Sequence, residues 1–360
     1  MHSTSSLNLL KKLERLVKAA GFEKLDFERK MTAIKVHFGE PGNLAYLRPN
    51  FAARLASMVK EKGGKPYLTD CNTLYSGERT NAPDHLDAAF SNGYNPLSAG
   101  CHVIIGDGVK GTDYREIEVN LDYTQTAMIG TAIADADIII TLNHFKGHEQ
   151  TGFGGALKNL GMGCASIGGK LFQHSGNPPF IYQKNCTGCN ICVISCAHDA
   201  VHLGEDRKAF IDNDKCTGCG QCVAVCQFDA ARVQWSSEGD VLSKKVAEYA
   251  FAVVKDKPAL HINFIIDVSP DCDCWGHNDR PLVEDIGIAA STDPLALDKA
   301  CADMVMEAPA AWHLREKDND NDLRGEDKFR IAHGSTDWNT GLLHGEKIKL
   351  GSLSYKLIKI

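Results

Sequence analysis

The sequence predicts an α/β fold: a mostly parallel sheet with covering helices, interrupted by a small cysteine-rich α+β module. Three observations predict it. Short β-branched runs alternate with helix-length stretches before residue 180, the same alternation resumes after residue 236, and between them an eleven-residue cysteine phrase is written twice. The division that follows is a first part of the α/β domain at 1–180, the module at 181–235 and a second part of the α/β domain at 236–360.

The elements are read in chain order. Leu7, Leu10, Leu13, Leu16 and Val17 recur at helical spacing with Lys and Glu between them, which predicts an amphipathic surface helix. Strands are expected in MTAIKVHFG (31–39), KPYLTD (65–70), HVIIGDG (102–108) and ADIIITL (136–142), with helices over 46–62 and 123–134. Beyond the module come a strand in HINFIIDV (261–268) and a helix in DPLALDKACADMV (293–305), where Pro294 follows an acidic cap at Asp293. The turn-rich stretches HSGNPPF (174–180) and SSEGD (236–240) mark the two boundaries.

Composition excludes several classes. A net charge of −7 and a pI near 6.1 leave no basic footprint for nucleic acid and no polybasic arm for a membrane surface. No apolar run approaches the roughly 18–20 residues that span a bilayer, and the start, MHSTSSLNLLKKLERLVKAAG, lacks the pattern of an export signal, so a cytoplasmic location is expected. Of the fourteen cysteines, eight sit in the doubled phrase at metal-ligand spacing, which argues against a secreted disulfide scaffold. There is no Walker loop, no nucleophile elbow and no GxGxxG between a strand and a helix. The turn at Gly106, Asp107 and Gly108 reads as a bend. The acidic run EKDNDNDLRGED (316–327) lacks the ligand order of a calcium loop and reads as solvated.

The doubled phrase is CTGCNICVISC (186–196) and CTGCGQCVAVC (216–226), each C-x-x-C-x-x-C-x-x-x-C. Two-residue gaps let three thiolates of one loop converge on one face of a cubane. Zinc knuckles, which usually take four ligands in two pairs, and structural thiols are the alternatives. The region resembles the bacterial two-[4Fe–4S] ferredoxin domain, in which the fourth cysteine of each run ligates the other cluster. That resemblance implies one cluster on Cys186, Cys189, Cys192 and Cys226, and a second on Cys216, Cys219, Cys222 and Cys196. The proline that commonly follows the fourth cysteine is Ala197 in one copy and Gln227 in the other, a departure that bears on reduction potential rather than on ligation.

Ligands of open α/β sheets collect beyond the carboxyl ends of strands. After ADIIITL comes NHFKGHEQTGFGGALKNLGMG (143–163), with Asn143, His144, Lys146, His148, Glu149, Lys158 and Asn159 as polar groups. Gly152, Gly154 and Gly155 bring backbone amides close to a ligand, and a helix starting near Ala156 offers an anion-binding end. His148 and Lys158 are the candidates to bind a small anionic substrate or to protonate it; a plain glycine-rich turn with solvated charges is the alternative. After HINFIIDV comes SPDCDCWGHNDRPLVEDIGIAAS (269–291), where Cys272, Cys274 and His277 fit an additional zinc, iron or nickel ion. Plain burial and a catalytic or redox-active thiol pair are the alternatives for the two cysteines. Cys71, Cys101, Cys164 and Cys301 are isolated and read as small core residues.

Together, HFKGHEQTGFGGALKNLGMG, the cysteine module and CDCWGHNDRPLVEDIGIAASTDPLALDKA resemble the DUF362 family of iron–sulfur proteins over about 31–310. A further stretch is similar to the nickel-pincer lactate racemases, whose His-x-Phe-Ala-Gly-Phe-Ser-Gly-Gly-x-Lys phrase supplies a His and a Lys to the nickel cofactor. In HEQTGFGGALK, His148 and Lys158 stand ten apart with Gly152, Phe153 and Gly155 in register, while Gln150, Thr151 and Gly154 depart. The expected function is an electron-transfer oxidoreductase component, with two [4Fe–4S] clusters, a redox partner protein and a receiving site in the α/β domain. The alternatives are a passive electron shuttle and non-redox metal chemistry akin to the racemases.

Overall fold

The structure is a computed structural model that describes residues 4, 6–75, 77–174, 178–234, 239–315, 321–334 and 336–360. Its first half contains α1 (Leu9–Ala19), β1 (Met31–Val36), α2 (Pro49–Glu61), β2 (Lys65–Asp70), α3 (Ala82–Ser91), α4 (Pro96–Ala99), β3 (His102–Ile105), β4 (Tyr114–Glu118), β5 (Thr126–Gly130), α5 (Thr131–Ala134), β6 (Ile138–His144), β7 (Lys146–His148), β8 (Gly152–Gly154), α6 (Ala156–Gly161) and α7 (Ile167–His174). The cysteine-rich stretch forms β9 (Phe180–Ile181), α8 (Ile191–Ile194), β10 (Val201–Leu203), β11 (Ala209–Ile211), α9 (Gln221–Ala224) and β12 (Ala231–Arg232). The chain then adds α10 (Gly239–Val254), β13 (Ala259–Ile265), β14 (Gly287–Ser291), α11 (Pro294–Glu307), α12 (Trp312–Arg315), α13 (Lys328–Ala332) and α14 (Asn339–Lys347).

Six strands form the central sheet in the order β14-β13-β6-β1-β2-β3, all parallel except β14, which runs antiparallel to β13 at one edge. A strand in the middle of a parallel sheet is covered on both faces, and all seven residues of β6 are buried. Its side chains alternate: Ile138, Ile140 and Leu142 join the core beneath α1 and α2, while Ile139 joins the core beneath α6, α10 and α11. Further along, that second face turns polar at Thr141 and Asn143, and Asn143 Nδ2 donates to Asn263 Oδ1 of β13 at 2.9 Å. The apolar layer ends there and a polar region begins.

Local chemistry sets the helix ends. Asn8 accepts from the Lys11 amide to start α1, and Asp293 accepts from the Leu295 and Ala296 amides to start α11 ahead of Pro294. The helix expected over 46–62 begins only at Pro49, because the residue before a proline is kept from helical ψ; Arg48 has ψ 134°. The helix expected over 123–134 is a correction. Residues 126–130 instead pair antiparallel with β4, closed by the Val119–Gln125 and Leu121–Thr124 backbone bonds, and only 131–134 turn helical. Cross-strand pairing outweighs the local helical pattern there.

The cysteine-rich stretch is an α+β unit built twice. β9 pairs with β12 and β10 with β11, each antiparallel. Gly188 and Gly218 have φ of 70° and 72°, Asn190 and Gly220 have 69° and 73°, and Asp199 and Asp229 have 48° and 49°. The second half therefore repeats the first turn for turn, thirty residues on. The expected boundary loops fall partly outside the described residues, at 175–177 and 236–238, as does 316–320 of the acidic run. The chain rejoins the sheet layer through α10, which packs against α6 and α14. Among the described residues no helix is long and apolar enough to cross a membrane.

Candidate functional site

The parallel strands β1, β2, β6 and β13 all direct their carboxyl ends to one side of the sheet, and a cavity of about 620 Å³ opens there. Its first wall comes from β1, β2 and the loops after them. Behind that wall, Lys35 Nζ lies 2.9 Å from Asp70 Oδ1 and donates to Asn159 Oδ1 at 2.6 Å, and both of these partners line the cavity. Arg79 spans Glu40 at 2.7 Å and the Tyr75 hydroxyl at 2.6 Å, with His37 Nε2 3.0 Å away. Desolvation and the Arg79 charge hold His37 neutral, well below the usual histidine range. Desolvation likewise lowers His174 of α7 to about 3, helped by Lys158 and His148.

A second wall comes from the end of β6 and from β7. His144 Nδ1 sits 2.8 and 2.9 Å from the two Asp273 oxygens, and Lys146 Nζ lies 3.2 Å from Asp273 Oδ2. Burial would raise the Asp273 carboxyl, but His144 and Lys146 outweigh it and hold it well below the usual carboxylate range.

The floor carries the two cysteines of the CDC phrase. Cys272 is 1% exposed and lines the cavity together with Cys274. Its Sγ receives Lys158 Nζ at 3.0 Å and the Cys274 amide at 3.4 Å. His148 is fixed by one edge: Nδ1 accepts from the Gln150 and Thr151 amides at 3.1 and 3.2 Å, which puts the ring proton on Nε2. The neighbouring Cys274 thiol foremost, with Lys158 and His148 beside it, outweighs burial and holds Cys272 well below the usual thiol range, while Cys274 is pushed well above it. Burial would lower Lys158, but the Cys272 charge prevails and keeps it above the ordinary lysine range.

Two expectations change at this site. His277 does not join Cys272 and Cys274: it is exposed, its ring lies 5.9 Å from Trp275, and its carbonyl accepts from Asn43. The turn at Trp275 and Gly276 carries it away from the cavity. Nor is the start of α6 open to an anion. The Ala156 and Leu157 amides both donate to Asp298 of α11, at 2.8 Å each, so the chain's own carboxylate fills that end. A Cβ at Gly155 would stand 2.4 Å from Asp298 Oδ1, so this glycine admits the carboxylate, while Gly152 supplies the φ of 77° that closes the β7–β8 hairpin. Gly154 and Gly155 line the cavity. Cys71, Cys101, Cys164 and Cys301 are buried as expected.

Sequence reading missed Lys35, His37, Glu40, Asp70, Tyr75, Arg79, Lys170 and His174. A signal existed for two of them. Lys35 and Asp70 are charges in strands that otherwise read as buried, and such charges need a partner.

In the cysteine-rich unit, Cys186, Cys189, Cys192 and Cys226 line one hollow with Phe228 and Ala231. Cys222 lies near Cys216, Cys219 and Cys192. Cys196 and Cys226 Sγ each accept from the amide four residues on, Ala200 and Ala230, at 3.3 Å in both cases. Among the described residues no three His, Cys, Asp or Glu side chains gather to hold one ion. The unit sits against α7: a Cβ at Gly168 would stand 2.3 Å from the Cys219 carbonyl oxygen. α7 in turn contributes Lys170 and His174 to the cavity.

Comparison with known proteins finds a match to the family described as "Domain of unknown function (DUF362)" over residues 32–303. A thylakoid-associated protein of Synechocystis is 29% identical over 134 residues, which is 37% of this chain and 38% of that protein, so the chain spans well under half the length of this relative. Among solved structures, the lactate racemase apoprotein from Thermoanaerobacterium thermosaccharolyticum aligns with TM-score 0.39 and 11% identity, over 78% of this chain and 52% of that one. A structural-genomics protein from Thermotoga maritima aligns with TM-score 0.38 and 11% identity, over 73% of this chain and 52% of that one.

Proposed function

The chain belongs to the DUF362 family, and from that premise we propose that it is an iron–sulfur electron-transfer protein, a redox component that passes electrons between a ferredoxin-like two-cluster unit and the cavity at the sheet's carboxyl edge. The observation that carries this reading is the hollow lined by Cys186, Cys189, Cys192 and Cys226. Three thiols of one run and the fourth of the other facing one hollow are the ligand set that the ferredoxin repeat implies for a cubane. Cys216, Cys219, Cys222 and Cys196 would hold the second cluster by the same thirty-residue repeat. Such clusters, when bound, supply one-electron transfer.

The chain's own groups fit that use. Amides of Ala200, Ala209 and Ala230 donate to Cys196, Cys186 and Cys226 at 3.3 Å, and hydrogen bonds to ligand sulfur tune cluster potential. Cys189 and Phe228 are exposed at the first hollow, which suits docking of a redox partner protein there. The loop around Cys219 and Gly220 packs on Gly168 and Leu171 of α7, a contact that supports a second ligand set turned toward the cavity.

The test is anaerobic purification followed by iron, sulfide and zinc analysis and low-temperature electron paramagnetic resonance after reduction. About eight irons and eight sulfides per chain are expected. Cys192→Ser and Cys222→Ser should each lower the content of one cluster. Colourless protein carrying zinc and no acid-labile sulfide would end this reading.

A further inference from the structure

Cys272 is the centre of a built arrangement that an electron relay alone does not require. Its sulfur is enclosed at the floor of a cavity and receives two donors, the Lys158 ammonium at 3.0 Å and the Cys274 amide at 3.4 Å, with His148 and the Cys274 side chain on the same cavity wall. A sulfur so surrounded is held as a thiolate, and the thiolate is the nucleophile of thiol chemistry. A second cysteine, Cys274, stands two residues away and lines the same cavity. A nucleophilic thiolate with a resolving thiol beside it is the equipment of thiol–disulfide exchange.

We propose that Cys272 and Cys274 form a redox-active dithiol–disulfide pair that reduces a small-molecule disulfide entering the cavity, with Cys272 as nucleophile and Cys274 as resolving residue. The substrate is small because Cys272 is only 1% exposed, which bars a disulfide held on a folded protein, whereas about 620 Å³ admits a small molecule.

The steps balance as follows. The Cys272 thiolate attacks one sulfur of R–S–S–R, the substrate S–S bond breaks, and a mixed disulfide Cys272–S–S–R forms with release of RS⁻. The Cys274 thiol gives its proton to that RS⁻, and the Cys274 sulfur attacks Cys272 Sγ. A Cys272–Cys274 disulfide forms and the second RS⁻ leaves. Returning the pair to thiolate and thiol takes two electrons and one proton, supplied by an iron–sulfur donor acting twice or by an external dithiol. The exchange half-reaction is independent of the cluster assignment, since neither cysteine belongs to the two ligand sets.

Lys158 and His148 have a directional consequence. Both favour the thiolate, which exists only in the reduced pair, so they make the disulfide easier to reduce. Removing the Lys158 charge shifts the equilibrium toward the disulfide, by about tenfold for each unit that the Cys272 pKa rises.

The experiment uses the full-length protein, reduced, desalted without oxygen and exposed to glutathione disulfide as probe, then digested for peptide mass spectrometry. The expected result is a Cys272–Cys274 disulfide with two glutathiones released. Cys274→Ser should trap glutathione on Cys272, Cys272→Ser should yield neither product, and Lys158→Met should move the redox equilibrium with glutathione toward the disulfide. Absence of both the internal disulfide and the trapped adduct overturns the proposal, as does a Lys158→Met equilibrium identical to that of the unaltered chain. The mass readout needs no iron, so a chain without clusters can still pass it and a chain with clusters can still fail it.

Discussion

Asp298 shows how one buried carboxylate organises the glycine loop. It accepts from the Ala156 and Leu157 amides at 2.8 Å each and from Asn263 Nδ2 at 2.7 Å, and burial still raises it to about 6. Asp298→Ala leaves buried donors unpaired, and a loss of at least about 1–3 kcal/mol in stability is expected, read by denaturant unfolding under anaerobic conditions. Gly155→Ala should also lower the unfolding midpoint, because its methyl would stand 2.4 Å from the same carboxylate. Asp298 itself was not visible as a site residue. It lies 142 and 141 positions from the two amides it caps, inside a stretch that reads as an ordinary helix. His148, Lys158, Cys272 and Cys274 were legible because polar groups crowd the segments just after two strands. His277 was misgrouped because spacing along the chain does not show which way a turn carries a side chain.

At the scale of elements, the sheet strands were legible from β-branched runs, and β6 most clearly, since a strand covered on both faces must be apolar along most of its length. The β4–β5 hairpin was not, because its pairing partner is a separate stretch and local periodicity does not report it. The twin cysteine turns were legible as a repeat, but their seat on α7 was not. That seat depends on Gly168, whose hydrogen leaves room for the Cys219 carbonyl. Gly168→Ala places a Cβ 2.3 Å from that oxygen and should loosen the unit without touching a thiol. The expected outcome is unchanged iron content with faster limited proteolysis between α7 and α10; equal proteolysis rates would show that α7 does not anchor the unit.

For the whole molecule, acid response follows from which groups the fold keeps from charging. Desolvation lowers His85, His174 and His261 to about 3 and holds His37 well below its usual range. Below about pH 6.5 the unfolded chain binds protons that these four refuse, so their contribution is lost as pH falls from there toward 3. Asp107 and Asp298, both raised to about 6 by burial, act in the opposite sense between about pH 4 and 6, where the native chain keeps protons that the unfolded chain has shed. Four groups against two leave acid destabilisation ahead, and the thermal midpoint should drop between pH 7 and pH 5. A flat or rising midpoint over that interval would contradict this balance.

The pairing of Phe180 with Arg232 and of Ile181 with Ala231 has an architectural consequence. Everything between them leaves and returns through a single doorway. Splicing the chain across that doorway with a short flexible bridge would take out the whole cysteine-rich unit and remove no strand of the six-stranded sheet.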